Sequence, residues 1–236
     1  MKIKIIVFMA LLLLAAPLSA QLRTGLKGGG NLSNINMYWG DVDLDNYNPR
    51  IVVQAGLMAE YMFMPRLGLQ VELHYLNNGA TINPEKHRQW FTYSDEISFE
   101  GFINMHTFRL PVYLKTKLAL SSDWKIYVMG GGFVSFSTSA SQHQKFSGPL
   151  SLKLRWSLYE PEVRILEDVG DNLFMQHCWA VGFAAEAGVE VMDRLTVGVG
   201  FAPVLNNMSA LSYLPGTSIQ PVTRMWTATV SAGYFF

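Results

Sequence analysis

A closed antiparallel β-barrel is the fold this sequence predicts, on three observations. Apolar residues recur at every second position in about eight separate segments between Leu22 and Phe236. The connections between those segments are alternately short and long. Half of the 236 residues are hydrophobic and only 15% are charged, against roughly 25% in ordinary soluble chains. Yet after Gln21 no apolar run is long enough to span a bilayer as a helix. A chain that is apolar overall without apolar runs hides its hydrophobicity in alternation, which suits a barrel in the bacterial outer membrane.

The first 20 residues read as a secretory leader. Lys2 and Lys4 are followed by an apolar stretch from Ile5 to Ala16 and then by Pro17-Leu18-Ser19-Ala20, so cleavage is expected before Gln21. An uncleaved inner-membrane anchor is the alternative, and the apolar stretch is short for it. Residues 21–236 then form one barrel domain. Net charge is zero, so no nucleic-acid partner is expected. With one cysteine, Cys178, the chain forms no internal disulfide.

The first strand runs from about Leu22 to Asn34, with Arg23, Gly25, Lys27, Gly29, Asn31 and Ser33 on one face. The second, about Ile51 to Met64, is the cleanest: Val53, Ala55, Leu57, Ala59 and Tyr61 oppose Gln54, Gly56, Met58 and Glu60. A tight turn at Pro65-Arg66 leads to the third, Leu67 to Leu76, with Leu69, Val71 and Leu73 outward and Gln70, Glu72 and His74 inward. The fourth covers about Phe102 to Leu118, with Arg109, Tyr113 and Lys115 inward. The fifth, Trp124 to Ser137, follows the turn at Ser121-Ser122-Asp123. The sixth is Phe174 to Val191, with Glu186 and Glu190 inward, and the seventh, Leu195 to Leu205, follows the turn Met192-Asp193-Arg194. The eighth is Thr223 to Phe236.

With an even strand number, all short turns fall on the periplasmic side together with both termini, and the long loops face outward. Aromatic residues at both strand ends, among them Trp124 and Tyr234 below and Trp179 and Trp226 above, fit interfacial girdles. A secreted β-sandwich or lipocalin-like barrel is the soluble alternative; it leaves outward Leu, Val and Phe on nearly every strand without a purpose. The segment from Thr138 to Asn172 leaves the strand number open. Leu152, Leu154, Trp156 and Leu158 alternate, Glu160-Pro161 interrupts, and Val163 and Ile165 alternate again. This reads as an external hairpin above the fifth and sixth strands and as the candidate recognition surface, where an apolar and charged edge can add a strand to a partner. Ten strands is the alternative.

Strand parity assigns eight charges to the interior: Arg23, Lys27, Arg109 and Lys115 against Glu60, Glu72, Glu186 and Glu190. Eight strands enclose little more than side chains, and buried ions must be paired. A salt-bridged plug is therefore expected, with Arg109 between Glu72 and another acid. A narrow ion pathway is the alternative.

Several motifs, in order, resemble the PorT-like outer-membrane β-barrel family. They are Gly25-x-Lys27-x-Gly29-x-Asn31-x-Ser33, Leu69-Gln70-x-Glu72-Leu73-x-Tyr75, Leu110-Pro111 before Lys115, Gly130-Gly131-Gly132, Gly188-x-Glu190 and the final Gly233-Tyr234-Phe235-Phe236. The resemblance covers all of the chain after the leader. It implies an integral outer-membrane barrel of a Gram-negative bacterium without catalysis, and its named member is associated with the type IX secretion apparatus. The expected role is thus an accessory subunit of an outer-membrane secretion or uptake assembly. The expected partners are outer-membrane lipid and lipopolysaccharide, the barrel-assembly machinery through Phe236, and a larger protein complex.

No catalytic, cofactor or metal site is expected. A lipid A-active enzyme is the second alternative, with His106 and His177 near the outer rim as its candidate residues, but no spacing selects a nucleophile, base and orienting acid. His177 and Cys178 point to opposite faces of a strand and make no metal pair.

Overall fold

The computed structural model describes residues 22–40, 42–43, 47–86, 97–149, 151–159, 176–209 and 221–236. The expected leader lies outside them. Eleven strands form one sheet: β1 (Leu22–Trp39), β2 (Val42–Asp43), β3 (Tyr47–Asn48), β4 (Arg50–Met62), β5 (Leu67–Ile82), β6 (Ser98–Ala119), β7 (Trp124–Ser147), β8 (Leu152–Ser157), β9 (Trp179–Val191), β10 (Leu195–Pro203) and β11 (Pro221–Phe235). Eight of them make a closed antiparallel ring in the order β1, β4, β5, β6, β7, β9, β10, β11. The seam is the pairing of β11 with β1, which runs from Gly25 opposite Phe235 to Trp39 opposite Pro221.

The ring turns the usual order of a folded protein inside out. Ile51 is 81% exposed and Val199 61%, and exposed apolar residues recur on every ring strand, including Leu26, Leu73, Leu114, Val128, Phe183 and Val230. Polar and charged residues occupy many of the inward positions of the same strands. An apolar band that encircles the molecule is stable only in hydrocarbon. Among the described residues no helix is long and apolar enough to cross a membrane, so the crossing is made by strands. Aromatic pairs stand at both ends of the band: Tyr234 against Phe236, with ring centroids 6.0 Å apart, and Phe136 against Trp179 at 4.7 Å.

The three short turns, after β4, β6 and β9, gather at one end with Leu22 and Phe236, whose amide donates to Thr24 O at 2.9 Å. Met192 and Asp193 hold positive φ, 53° and 58°, and Arg194 N donates to Val191 O at 3.1 Å. Two positive φ values let a turn follow the twist of its strands, but the left-handed conformation is unfavourable for methionine. Met192→Gly is therefore expected to stabilise the barrel by about 1 kcal/mol, measured as a higher midpoint of urea unfolding. Asp193 also accepts from Lys125, and that hydrogen bond holds its carboxyl below the ordinary aspartate range.

Several strands are longer than the alternation indicated. β1 continues to Trp39, β5 to Ile82 and β7 to Ser147, and β6 starts at Ser98. β6 and β7 have 22 and 24 residues, about twice the 9–11 that a tilted strand needs to cross a bilayer. The excess rises beyond the outer girdle, where polar residues pair as well as apolar ones and the alternation fades. The sixth ring strand, conversely, begins at Trp179, and Phe174, its expected start, lies outside the described residues. Opposite His106 and Thr107 the register of β7 slips by one residue, with Thr138 unpaired. The slip reverses parity: Ser135 and Ser137 face inward below it, Ala140 and Gln142 above it.

β8 settles the strand number. It pairs with β7, from Ser141 opposite Ser157 to Phe146 opposite Leu152, beyond the part of β7 that pairs with β9. It is the second arm of a hairpin that stands on the ring, and the ring keeps eight strands.

Candidate functional site in the barrel interior and the external hairpin

At the end with the short turns, four strands bring their inward charges to one level. Glu60 from β4 is fully buried and receives Arg23 from β1 and both Lys115 and Lys117 from β6. Arg23 Nε donates to Glu60 Oε1 at 3.0 Å, Lys117 Nζ lies 2.7 Å from Oε1 and Lys115 Nζ 2.8 Å from Oε2. Glu190 from β9, also fully buried, closes the group, 3.0 Å from Arg23 Nη2, 2.7 Å from Lys117 Nζ and 3.8 Å from Lys115 Nζ. The Oε2 atoms of Glu60 and Glu190 face their lysines at ion-pair distance without the alignment of a hydrogen bond. The ring of Phe235 lies against the cations, 4.3 Å from the Arg23 guanidinium carbon and 5.5 Å from Lys115 Nζ.

One layer further in, Lys27 Nζ donates to Glu72 Oε1 at 2.9 Å and to Glu186 Oε2 at 2.7 Å. His74 Nε2 donates to Glu72 Oε2 at 2.8 Å, and the Tyr127 hydroxyl to Glu186 Oε1 at 2.8 Å. A water-filled channel leaves its lining side chains wet. Here the charged groups from Lys27 to Glu190 are at most 7% exposed, apart from Arg23 at the rim.

Of the eight predicted interior charges, the structure brings Arg23, Lys27, Lys115, Glu60, Glu72, Glu186 and Glu190 into these two layers. Arg109 is the exception. It sits on β6 opposite His74 of β5, and among the described residues its polar contact is with a hydroxyl rather than a carboxylate. Its Nη1 donates to Thr227 Oγ1 at 2.9 Å and its guanidinium carbon lies 4.5 Å from the centre of the Phe133 ring. Glu72 is turned instead toward Lys27, Gln70 and His74. Register explains the miss, because a neighbouring strand does not guarantee a neighbouring level. Two participants escaped the sequence reading. Lys117 continues the parity of Arg109, Tyr113 and Lys115 and was legible; Tyr127 lies on β7, where parity alone gave no reason to single out a neutral residue.

Above the charges the interior turns apolar. Ile35, Met37, Ile103, Met105 and Met225, from the far halves of their strands, and Val204, just past the end of β10, are all at most 7% exposed and belong to one packed cluster. Leu158 joins it, 1% exposed. That corrects its expected place on a recognition face: Leu158 N donates to Ala140 O at 2.9 Å and its side chain packs into the barrel mouth. Leu152 is 52% exposed and Leu154 half-buried. The side chain of Trp156, and Val163 and Ile165 altogether, lie outside the description. Along the hairpin Lys145 faces Lys153 and His143 faces Arg155, so the surface is basic, with Lys145 drawn to Glu100 at 3.1 Å.

Among the described residues, His106 and His143 are not joined to a nucleophile and an orienting acid. Asn104 Nδ2 donates to His106 Nε2 at 3.2 Å, which leaves the other ring nitrogen to Tyr75. His143 Nε2 meets Ser141 Oγ at 3.0 Å and stacks on Phe102. Burial, then the positive charges of Arg155 and Arg50, holds His143 below the ordinary histidine value. Its hydrogen-bond partner among the described residues is a serine, with no carboxylate behind it to orient the ring.

The model of the family described as outer membrane protein beta-barrel domain matches residues 16–210. Among solved structures, the chain is similar to the attachment invasion locus protein Ail of Yersinia pestis, with 11% identity over 92% of this chain and 99% of that one and a TM-score of 0.37. It is similar to OprG of Pseudomonas aeruginosa, with 14% identity, 91% and 94% coverage and a TM-score of 0.42. It is also similar to a major outer membrane protein of Thermus thermophilus, with 12% identity, 89% and 99% coverage and a TM-score of 0.40. No curated protein matches the chain.

Proposed function

The chain belongs to the outer membrane protein beta-barrel domain family, and from that premise we propose that it is a sealed, non-enzymatic barrel that acts through its external hairpin, as an accessory subunit of a secretion or uptake assembly. The bacterial outer membrane is where it resides. One observation carries the reading. The charged layers and the apolar cluster fill the lumen at two levels, which supports a barrel without a transport path whose distinctive surface is outside. That surface is the β7–β8 hairpin, with exposed Leu152 beside exposed Lys153 and Arg155. Its charge suits an anionic partner, lipopolysaccharide included, and Leu152 suits a protein contact. The PorT-like order of motifs supports the secretion assignment. Phe236, at the seam, is the handle offered to the barrel-assembly machinery.

Two measurements test this. Purified protein in a planar bilayer is expected to show no channel steps; steady conductance would replace the sealed reading with a pore. Tagged protein extracted from native outer membranes in mild detergent is expected to bring a stoichiometric partner. Leu152→Arg is expected to lose it while keeping the heat-modifiable migration of a folded barrel. A barrel that emerges alone would sink the accessory role.

A further inference from the structure

The interior charges do not cancel. Among the described residues, with Lys117 counted, there are five interior cations, Arg23, Lys27, Arg109, Lys115 and Lys117, against the four carboxylates of Glu60, Glu72, Glu186 and Glu190. Every cation but one lies on two carboxylates. The exception, Arg109, is 6% exposed, and its Nε and Nη2 have no hydrogen-bond partner. A buried guanidinium with a free charge and two idle donors is the costliest kind of unpaired group.

A cavity of about 30 Å³ lies beside it, lined among others by Arg109, His74, Tyr113 and Gln54. Glu72 and Glu186 also line it. Their carboxylates are engaged elsewhere, by Lys27, His74, Gln70 and Tyr127. The space is about twice the roughly 10–15 Å³ that a single water requires and is too small for a sugar, a nucleotide or a lipid headgroup. Water would satisfy the idle donors but leave the charge.

We propose that this cavity binds a small monovalent anion, a halide such as chloride, held by Nε and Nη2 of Arg109. The anion brings the interior to charge balance and turns Arg109 from an isolated ion into a paired one. It is a structural ligand of the barrel.

The full chain, folded in detergent and dialysed into sodium gluconate, gives the test. Gluconate is replaced by bromide at constant ionic strength and the thermal midpoint is followed by circular dichroism. The midpoint is expected to rise and saturate with bromide, as binding to the folded state requires. Arg109→Met is expected to abolish the response. Equal midpoints in the two salts, or a response that persists in Arg109→Met, would overturn the proposal. Should that variant not fold, crystals of the unaltered protein grown with bromide decide the matter. An anomalous peak beside Arg109 Nε and Nη2 is expected, and a cavity that holds water or no anomalous scatterer refutes the site.

Discussion

Glu60→Gln lowers the unfolding free energy of the barrel by about 3–5 kcal/mol, the usual consequence of removing one partner from a buried ionic group. Three cations converge on this fully buried carboxylate, and the substitution leaves them with Glu190 as their remaining acid in that layer. The measurement is urea unfolding in lipid vesicles, followed by tryptophan fluorescence. Because the loss arises from uncompensated charge, removing a cation should recover part of it, so Glu60→Gln with Lys117→Met is expected to be more stable than Glu60→Gln alone. A loss below about 1 kcal/mol, typical of solvated pairs, would mean that water reaches the layer and that the sealed reading of the lumen is wrong.

Gly131→Ala has an effect of similar size by a different route. Gly131 sits where β7 passes close to β6, and a methyl group there would run into the Val112 carbonyl oxygen and lie 3.0 Å from the Tyr113 Cα. Both obstacles are backbone, so no side chain can swing aside. Overpacking in a core costs about 1–3 kcal/mol when neighbours can adjust, and here the adjustment must separate two strands. The expected result is a loss of at least about 3 kcal/mol or failure to reach the heat-modifiable folded form. The neighbouring Gly132 is the control: its nearest atom, the Gly182 carbonyl oxygen, is 3.8 Å from the added carbon, so Gly132→Ala should fold normally.

How much was legible follows from the same residues. Alternation is a local signal, and within the bilayer it was complete: Glu60 inward and Tyr61 outward can be read from two letters once the strand is recognised. Barrel, strand number and inward set all rest on it. Level and partner are set by register, which no single strand contains. Arg109 was therefore placed on the correct face and given the wrong neighbour. Outside the bilayer the signal inverts on β6, where Ile103 and Met105 face inward and Glu100 and Asn104 outward, and it fades on β7, where Gln142 is buried beside Ala140. The bulge at Thr138 also reverses the parity a reader would extrapolate along β7. Leu158 shows the effect: its place in an alternating run indicated an open edge, and the fold buries it.

The seam between β1 and β11 joins residues between 182 and 210 positions apart in the chain. Every other ring contact can form from strands close in sequence, but this one brings no reward until nearly the whole chain is in place. Contacts of such separation are slow to form, and until this one closes the sheet has two free edges, each able to recruit a stranger's strand. The dangerous interval in the life of this protein is thus the time between its synthesis and the meeting of its first and last strands. The ionic layer shares that delay, since Arg23 stands on one side of the seam and the Phe235 ring that covers it on the other. Closure completes the pairing of Arg23, whose second carboxylate, Glu190, stands on β9 beyond the seam.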